Sequence, residues 1–186
     1  MDVFQTDVPL HLFHHGENFQ TYKLMGAHAA TVHNKKGYVF RVWAPRAKSV
    51  SVIGNFNEWN ESANMMERLI DGQTFETFIP GVKQFDEYKF CIKTNDGRTL
   101  YKADPYAFHA ETPGVEKSNA SKIYNVDGFK WTDKEYLDKQ THSNIYAQPV
   151  NIYEVNLLSW RKNEDGSYYT YRQLAKELVS YVKKMG

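Results

Sequence analysis

A single cysteine, Cys91, stands among 186 residues. No disulfide can form within the chain, so its stability has to come from a packed core. Excess charge is also lacking: 23 Lys and Arg face 22 Asp and Glu, for a net charge of +1, and the basic residues are scattered. Neutralising a run of phosphates takes a basic stripe, so nucleic acid is excluded as an expected partner. No apolar run approaches the roughly 20 residues of a membrane-spanning helix. Met1 to Asp7 carry neither the basic nor the apolar stretch of a secretion signal. The expectation is a cytoplasmic protein with no membrane contact. No segment is low in complexity, and 186 residues suffice for one well-buried domain with an appendage but not for two large ones.

Aromatics, by contrast, are abundant, at 15% of the chain with thirteen Tyr. They alternate with polar residues at the strand period of two. Tyr38, Phe40 and Val42 alternate with Val39, Arg41 and Trp43 before Ala44-Pro45 stops the run. Val50 to Ile53 reads as a second strand, Met65 to Leu69 as a weak third, and Thr74 to Ile79 as a fourth, with Asp71-Gly72 as the hairpin turn before it. Asp86 to Thr94 puts Tyr88, Phe90 and Ile92 on one face and Lys89, Cys91 and Lys93 on the other. Asn95-Asp96-Gly97 then turns into Thr99 to Lys102, and Lys122 to Tyr124 is a last short strand. Short strands with close turn signals and no helix-period segment between them predict a mainly β protein, an antiparallel sandwich of immunoglobulin-like type over residues 34–126.

Residues 1–33 read as a short helical or irregular lead-in. His11, His14 and His15 in it are spaced to put two imidazoles on one helix face, but no cysteine or carboxylate set completes a tetrahedral site, so neither a metal nor any other cofactor is expected. Residues 127–149 are a polar connector in which Thr132 to Leu137 has room for a helical turn or two. In residues 150–186 the pattern changes. Val150 to Val155 is a near-continuous strand-like run, and after Gly166 come Tyr171, Leu174, Ala175, Leu178, Val179 and Val182 at helical spacing, opened by a Thr170–Gln173 capping box and closed by Gly186. A strand and its helix form half of a parallel unit, which needs a second strand beside it. The chain is therefore expected to be the front of a longer protein whose next domain is α/β.

The run Val50-Ser51-Val52-Ile53-Gly54-Asn55-Phe56-Asn57-Glu58-Trp59 ends a strand in a loop that presents two aromatics and two asparagines. With Phe40-Arg41-Val42-Trp43-Ala44-Pro45 before it, and Tyr88-Lys89-Phe90 and Lys102-Ala103-Asp104-Pro105-Tyr106-Ala107 after it, it resembles the N-terminal carbohydrate-binding module of bacterial glycogen branching enzymes. Phe13-His14 and Leu24-Met25-Gly26-Ala27-His28 are similar to the segment leading into that module. Asn151-Ile152-Tyr153-Glu154-Val155, Ser159-Trp160 and Tyr171-Arg172-Gln173-Leu174-Ala175 are similar to the first strand and helix of the catalytic (β/α)8 barrel. The resemblance departs after Val155, where Asn156 and Leu158 replace the usual His and Gly.

The resemblance implies an α-1,4-glucan ligand, such as glycogen or a maltooligosaccharide, and docking on the parent enzyme's catalytic barrel. That parent would be a glycosyltransferase of glycogen biosynthesis, transferring an α-1,4-glucan segment to make an α-1,6 branch through paired carboxylates. In the family those carboxylates lie on later barrel strands, so this truncated chain is expected to be inactive alone. Asp127-Gly128-Phe129-Lys130 echoes the nucleophile motif, but it precedes the first barrel strand and is given no catalytic role.

A glucan site needs a flat ring for the sugar's C–H face and donors for its hydroxyl rim. Trp59, Lys89, Asn57 and Phe56 are the candidate carbohydrate-binding residues. In the related module of the AMP-activated kinase β subunit a second Trp follows the Asp-Gly turn; here Arg98, Thr99, Leu100 and Tyr101 occupy that region, which implies weaker binding. Two readings stand open: a working glucan-binding module, or a spacer that docks on the barrel with little or no sugar binding.

Overall fold

The computed structural model describes residues 7–112 and 119–185 and divides into two compact units, residues 1–129 and 130–186. In the first unit a short helix α1 (Asp7–His14) and a 3-10 turn (Thr21–Lys23) precede nine strands among the described residues. One sheet has the order β1 (Gly26–Val32), β2 (Lys35–Trp43), β5 (Thr74–Pro80) and β4 (Glu67–Arg68). In the other, β3 (Ala47–Gly54), β6 (Glu87–Thr94), β9 (Ser121–Lys122) and β8 (His109–Ala110) follow one another, with β7 (Thr99–Lys102) also paired to β6. Every strand pair is antiparallel.

The expected alternation sets the core. Tyr38, Phe40, Val42, Phe75 and Ile79 from one sheet meet Val50, Val52, Tyr88 and Phe90 from the other, joined by Ile123. Phe40 lies edge-on to Tyr88 at 5.1 Å. Burying each such side chain stabilises the fold by about 1.5–3 kcal/mol. Among the buried polar residues, Asp104 accepts from Tyr88 Oη at 2.6 Å and from the Tyr106 N–H at 2.8 Å. Burial pushes the Asp104 carboxyl up. Burial first, and then the neighbouring Asp104 charge, carry the Tyr88 phenol well above its ordinary value. The Asp104-Pro105-Tyr106 motif is thus a structural tie.

Three sequence expectations are corrected. Residues 26–32, read as part of an irregular lead-in, form β1, paired over seven residues with β2; its composition of Ala, His and Thr gave no apolar period to detect. On β2 both sides are buried, Val39 and Arg41 as well as Phe40 and Val42, and the lead-in meets the outer side at Arg41. Leu10, Leu24 and Met25 form a second cluster, with Phe13, Leu69 and Tyr106 against it. Arg41 Nη1 donates to the Leu24 carbonyl at 3.2 Å, and its Nε donates to Glu76 at 2.5 Å.

The third correction concerns the second unit. Val150 to Val155 has no ladder partner among the described residues and forms no strand. Asn156 instead caps a short helix α3 (Leu157–Trp160), its side chain accepting from the Leu158 N–H at 3.1 Å, which is what Asn does well at that position. The connector helix α2 runs over Lys134–His142, later than expected. The helix expected at the end is present as α4 (Tyr171–Met185). Its capping box is formed, with Gln173 N–H donating to Thr170 Oγ1 and Thr170 N–H to Gln173 Oε1. Gly186 lies outside the described residues. Tyr181 of α4 packs on Tyr153 and Trp160 at 5.4 and 5.7 Å. No described helix is long and apolar enough to cross a membrane.

Candidate functional site

β3 runs into Gly54, and only glycine fits there: a Cβ would stand 2.2 Å from the Glu87 carbonyl oxygen and 2.6 Å from the Phe56 ring. The backbone then takes a 3-10 turn over Asn55–Asn57 and two successive left-handed residues, Glu58 (φ 55°) and Trp59 (φ 58°). Each left-handed non-glycine residue costs on the order of 1 kcal/mol or more and persists only where its surroundings hold it. Here Trp59 N–H donates to the Gly54 carbonyl at 2.8 Å. The Asn57 carboxamide accepts from Gly54 N–H and donates to the Val52 carbonyl and to Asn64 Oδ1. Asn55 ties the same loop to Asp86 and Glu87.

The four predicted residues therefore separate. Asn57 has both amide hydrogens engaged, by the Val52 carbonyl of β3 and by Asn64 Oδ1, and Phe56 turns inward, 6.2 Å from Phe40 and packed on the core. Trp59 and Lys89 come together, both partly exposed, in an open cleft of about 330 Å³ completed by Ile53, Glu61 and Tyr101. Ile53 and Lys89 are directly paired across β3 and β6. Tyr101 on β7 is paired with Cys91 and is 52% exposed.

Tyr101 and Glu61 were not among the predicted residues. The signal for Tyr101 was its position two residues beyond Thr99 on the outward face of β7. Glu61 gave no periodic signal, being on a loop. Its carboxylate accepts from Tyr101 Oη and from Lys93 Nζ, and Lys93 donates also to Thr99 Oγ1 at 2.9 Å. Hydrogen bonds from Lys93 and then Tyr101 hold the Glu61 carboxyl below its usual range. The same bonds push the Lys93 ammonium and the Tyr101 phenol up. Beneath them Cys91 is buried, and burial raises its thiol pKa.

Chemically the cleft offers two ring faces, an ammonium and a carboxylate around an apolar floor. A larger groove of about 960 Å³ runs past Trp43, Pro45, Ile92 and Leu100, with Arg46 also lining it and Arg98 paired to Asp96 at 2.8 Å. Trp43 there is half exposed, its indole N–H donating to Gln73 at 3.2 Å. The lead-in histidines diverge: His15 donates to the His11 carbonyl, while His14 pairs with Asp71 at 2.9 Å. No group of three metal-ligating side chains gathers among the described residues.

Residues 24–107 match the family described as carbohydrate-binding module 48, the isoamylase N-terminal domain, and that span contains Trp59, Lys89, Tyr101 and Glu61. The sandwich belongs to carbohydrate-binding module family 48. Beyond the module, the chain is homologous over essentially its whole length to 1,4-alpha-glucan branching enzymes. It is 46% identical to that of Halothermothrix orenii, covering 100% of this chain and 29% of the relative. It is 41% identical to that of Bacillus subtilis, covering 95% and 28%. The chain thus spans less than a third of the length of these relatives. A pullulanase from Bacillus acidopullulyticus superposes at a TM-score of 0.43 with 23% identity, over 55% of this chain and 12% of that one, too distant to carry weight. Within the matched span, Phe40 and Val42 serve the core and Asp104 the tie to Tyr88, while Trp43 and Pro45 line the larger groove.

Proposed function

We propose that this chain is the α-1,4-glucan-binding module of a branching enzyme, and that glucan is held in the Trp59 cleft. Trp59 stacks on the apolar face of a glucosyl ring, a contact that adds about 0.5–1.5 kcal/mol beyond the area it buries. The Lys89 ammonium donates to ring hydroxyls at the edge. The observation that carries this reading is the meeting of Trp59 with Lys89 and Tyr101 on one open face of a family 48 sandwich. In the parent enzyme the module would position glucan for transfer of an α-1,4 segment onto an α-1,6 branch point. Beside a neighbouring barrel strand, Val150 to Val155 would gain a ladder partner and residues 150–186 would pack as the first strand and helix of the barrel, a reading supported by homology along this whole chain and by the capped, amphipathic α4. The reacting carboxylates are assigned to later strands of that barrel.

Calorimetric titration with maltoheptaose tests the reading. We expect a dissociation constant of ~0.1–1 mM, about 4–5.5 kcal/mol of binding, and its loss in Trp59→Ala with the fold intact. No heat and no NMR shifts at millimolar sugar, from a folded protein, would overturn it in favour of a docking spacer.

A further inference from the structure

Resting on the glucan reading above, we propose that the rings of Phe85, His109 and Tyr124 form a distal platform that holds the continuing end of a glucan whose other part lies in the Trp59 cleft. The three rings meet pairwise, Phe85 edge-on to His109 at 5.6 Å, Phe85 to Tyr124 at 5.8 Å and His109 to Tyr124 at 5.5 Å. Phe85 is 54% exposed and the other two are partly exposed, so the cluster stands open to solvent and outside the core. The Phe85 backbone is left-handed, with φ 70°. A bulky residue takes that conformation only where its surroundings hold it, whereas glycine takes it freely. A half-exposed ring returns little burial against that strain. The use of Phe85 therefore lies in what its ring meets outside the fold.

Hydrogen bonds on both sides hold the strained residue. Phe85 N–H donates to the Ile123 carbonyl at 2.7 Å, and Ile123 N–H donates to the Asp86 carbonyl at 2.9 Å. The Asp86 carboxylate accepts from Lys83 N–H at 2.7 Å and from the Asn55 amide at 3.2 Å. Asn55 belongs to the Trp59 loop and also accepts from Glu87 N–H at 3.1 Å. The turn that presents Phe85 and the loop that presents Trp59 are thus fastened to one another, which fixes the spacing of their rings before any sugar arrives.

Cleft and platform also share one face. Lys89 lines the cleft, and Glu87, two residues before it on β6, points to the same side. Glu87 is paired with Lys122 and Lys122 with His109, so these side chains stand together, the Lys122 ammonium 3.6 Å from the Glu87 carboxylate. The four residues from Lys89 back to Phe85 span roughly 13 Å at about 3.3 Å each, a reach of a few glucosyl units. Between the two aromatic sites lies an ion pair whose donors and acceptors suit hydroxyls, while the rings offer flat faces to the C–H sides of the sugars. His109 adds a polar edge: its Nδ1 donates to the Ala110 carbonyl at 2.9 Å, which leaves Nε2 for a sugar hydroxyl. A short sugar is served by the cleft alone, and a longer chain reaches the platform.

The test is amide NMR titration of the full chain with maltotriose and with maltoheptaose, for wild type, Trp59→Ala, Phe85→Gly, Phe85→Trp and Tyr124→Ala. Thermal unfolding verifies each fold, and sedimentation reads the oligomeric state. Wild type is expected to bind maltoheptaose about tenfold more tightly than maltotriose, and only the longer sugar should shift the amides around Phe85 and Tyr124. Phe85→Gly, which removes the ring and relaxes the backbone, should lose about threefold on maltoheptaose and nothing on maltotriose, and Tyr124→Ala should do the same. Phe85→Trp, which keeps a ring, should hold the wild-type preference for the longer sugar. Wild-type affinity for maltoheptaose in Phe85→Gly and Tyr124→Ala, with binding lost in Trp59→Ala, would overturn the inference and leave the glucan reading standing. A dimer that Phe85→Gly separates, at unchanged sugar affinity, would assign the rings to contact between two copies and overturn it as well. No binding of either sugar by the folded wild type would remove the glucan reading, and this inference with it.

Discussion

The two sheets of this sandwich each have an outward face, and they are put to opposite use. Outside the β1–β2–β5–β4 sheet, Arg41 and Val39 are buried, with Arg41 hydrogen-bonded to the Leu24 carbonyl and Phe13 of α1 standing edge-on to Trp43 at 5.8 Å. Outside β3, β6 and β7 the loop after Trp59 reaches over the face through Glu61, which accepts from Lys93 and Tyr101; Ser51 and Cys91 are buried while Lys89, Lys93 and Tyr101 stay partly or half exposed. A helix with its own apolar cluster converts a sheet face into core. A loop covers part of a face, and its margin is a cleft whose walls are set by a rigid sheet. The difference teaches where to look for binding in a sandwich whose strands all alternate alike.

If that contrast is right, substitutions on the covered face should cost stability and leave glucan affinity alone. Arg41→Ala has the largest expected effect. It strips the partner from Glu76 in a pair whose side chains are 6% and 16% exposed, and removing one member of a buried pair costs about 3–5 kcal/mol. Leu10→Ala comes next, at about 2–4 kcal/mol for a truncation at a nearly sealed site. Urea unfolding reads both, and maltoheptaose titration of the folded fraction should return the wild-type dissociation constant. A changed dissociation constant in either would mean that the two faces are coupled.

The covered and open faces differ equally in how legible they were. The core was readable because Tyr38, Phe40, Val42, Val50, Val52, Tyr88 and Phe90 obey a period of two, and each falls inside. Burial of Val39 and Arg41 was not readable from the alternation, and Leu24, which Arg41 meets, belongs to a stretch whose apolar members follow no single period. β1 was missed for the same lack of pattern. The run at Val150 to Val155 has strand composition, yet composition makes no ladder without a partner to pair with. In the site, Trp59 and Lys89 were legible from chemistry and motif. That Asn57 and Phe56 brace the loop from inside, and that Glu61 joins Tyr101 to Lys93, depends on contacts 7 to 40 residues apart.

Gly54→Ala sharpens the comparison from the open side. The added methyl would meet the Glu87 carbonyl of the paired strand at 2.2 Å, a backbone atom that cannot swing aside, and the Phe56 ring at 2.6 Å. Relieving it has to shift the start of the loop that carries Trp59. Overpacking of this kind costs about 1–3 kcal/mol. Here, unlike on the covered face, glucan binding should fall by tenfold or more along with stability, a figure of the order expected when a stacking ring is lost. Wild-type affinity in folded Gly54→Ala would show that the loop's geometry does not set the site.

The smallest expected effect lies where α1 meets the hairpin. Asp71 accepts from Gln73 N–H, Thr74 N–H and Thr74 Oγ1 within its own turn, and pairs with His14 at the end of α1. Burial pushes its carboxyl up, but the hydrogen bonds from Thr74, His14 and Gln73 outweigh burial, and the net shift is downward from 3.8. A folded-state value below the unfolded one means that the group favours the folded state fully above pH 3.8 and that this contribution is lost as pH falls through the lowered value. Asp71→Asn keeps the turn acceptor but loses the charge, and should cost about 1 kcal/mol at pH 7. Urea midpoints measured from pH 7 down to pH 3 should converge for wild type and variant at the acid end. Parallel curves, with the gap unchanged at pH 3, would show that the charge on Asp71 does nothing to hold the covering helix in place.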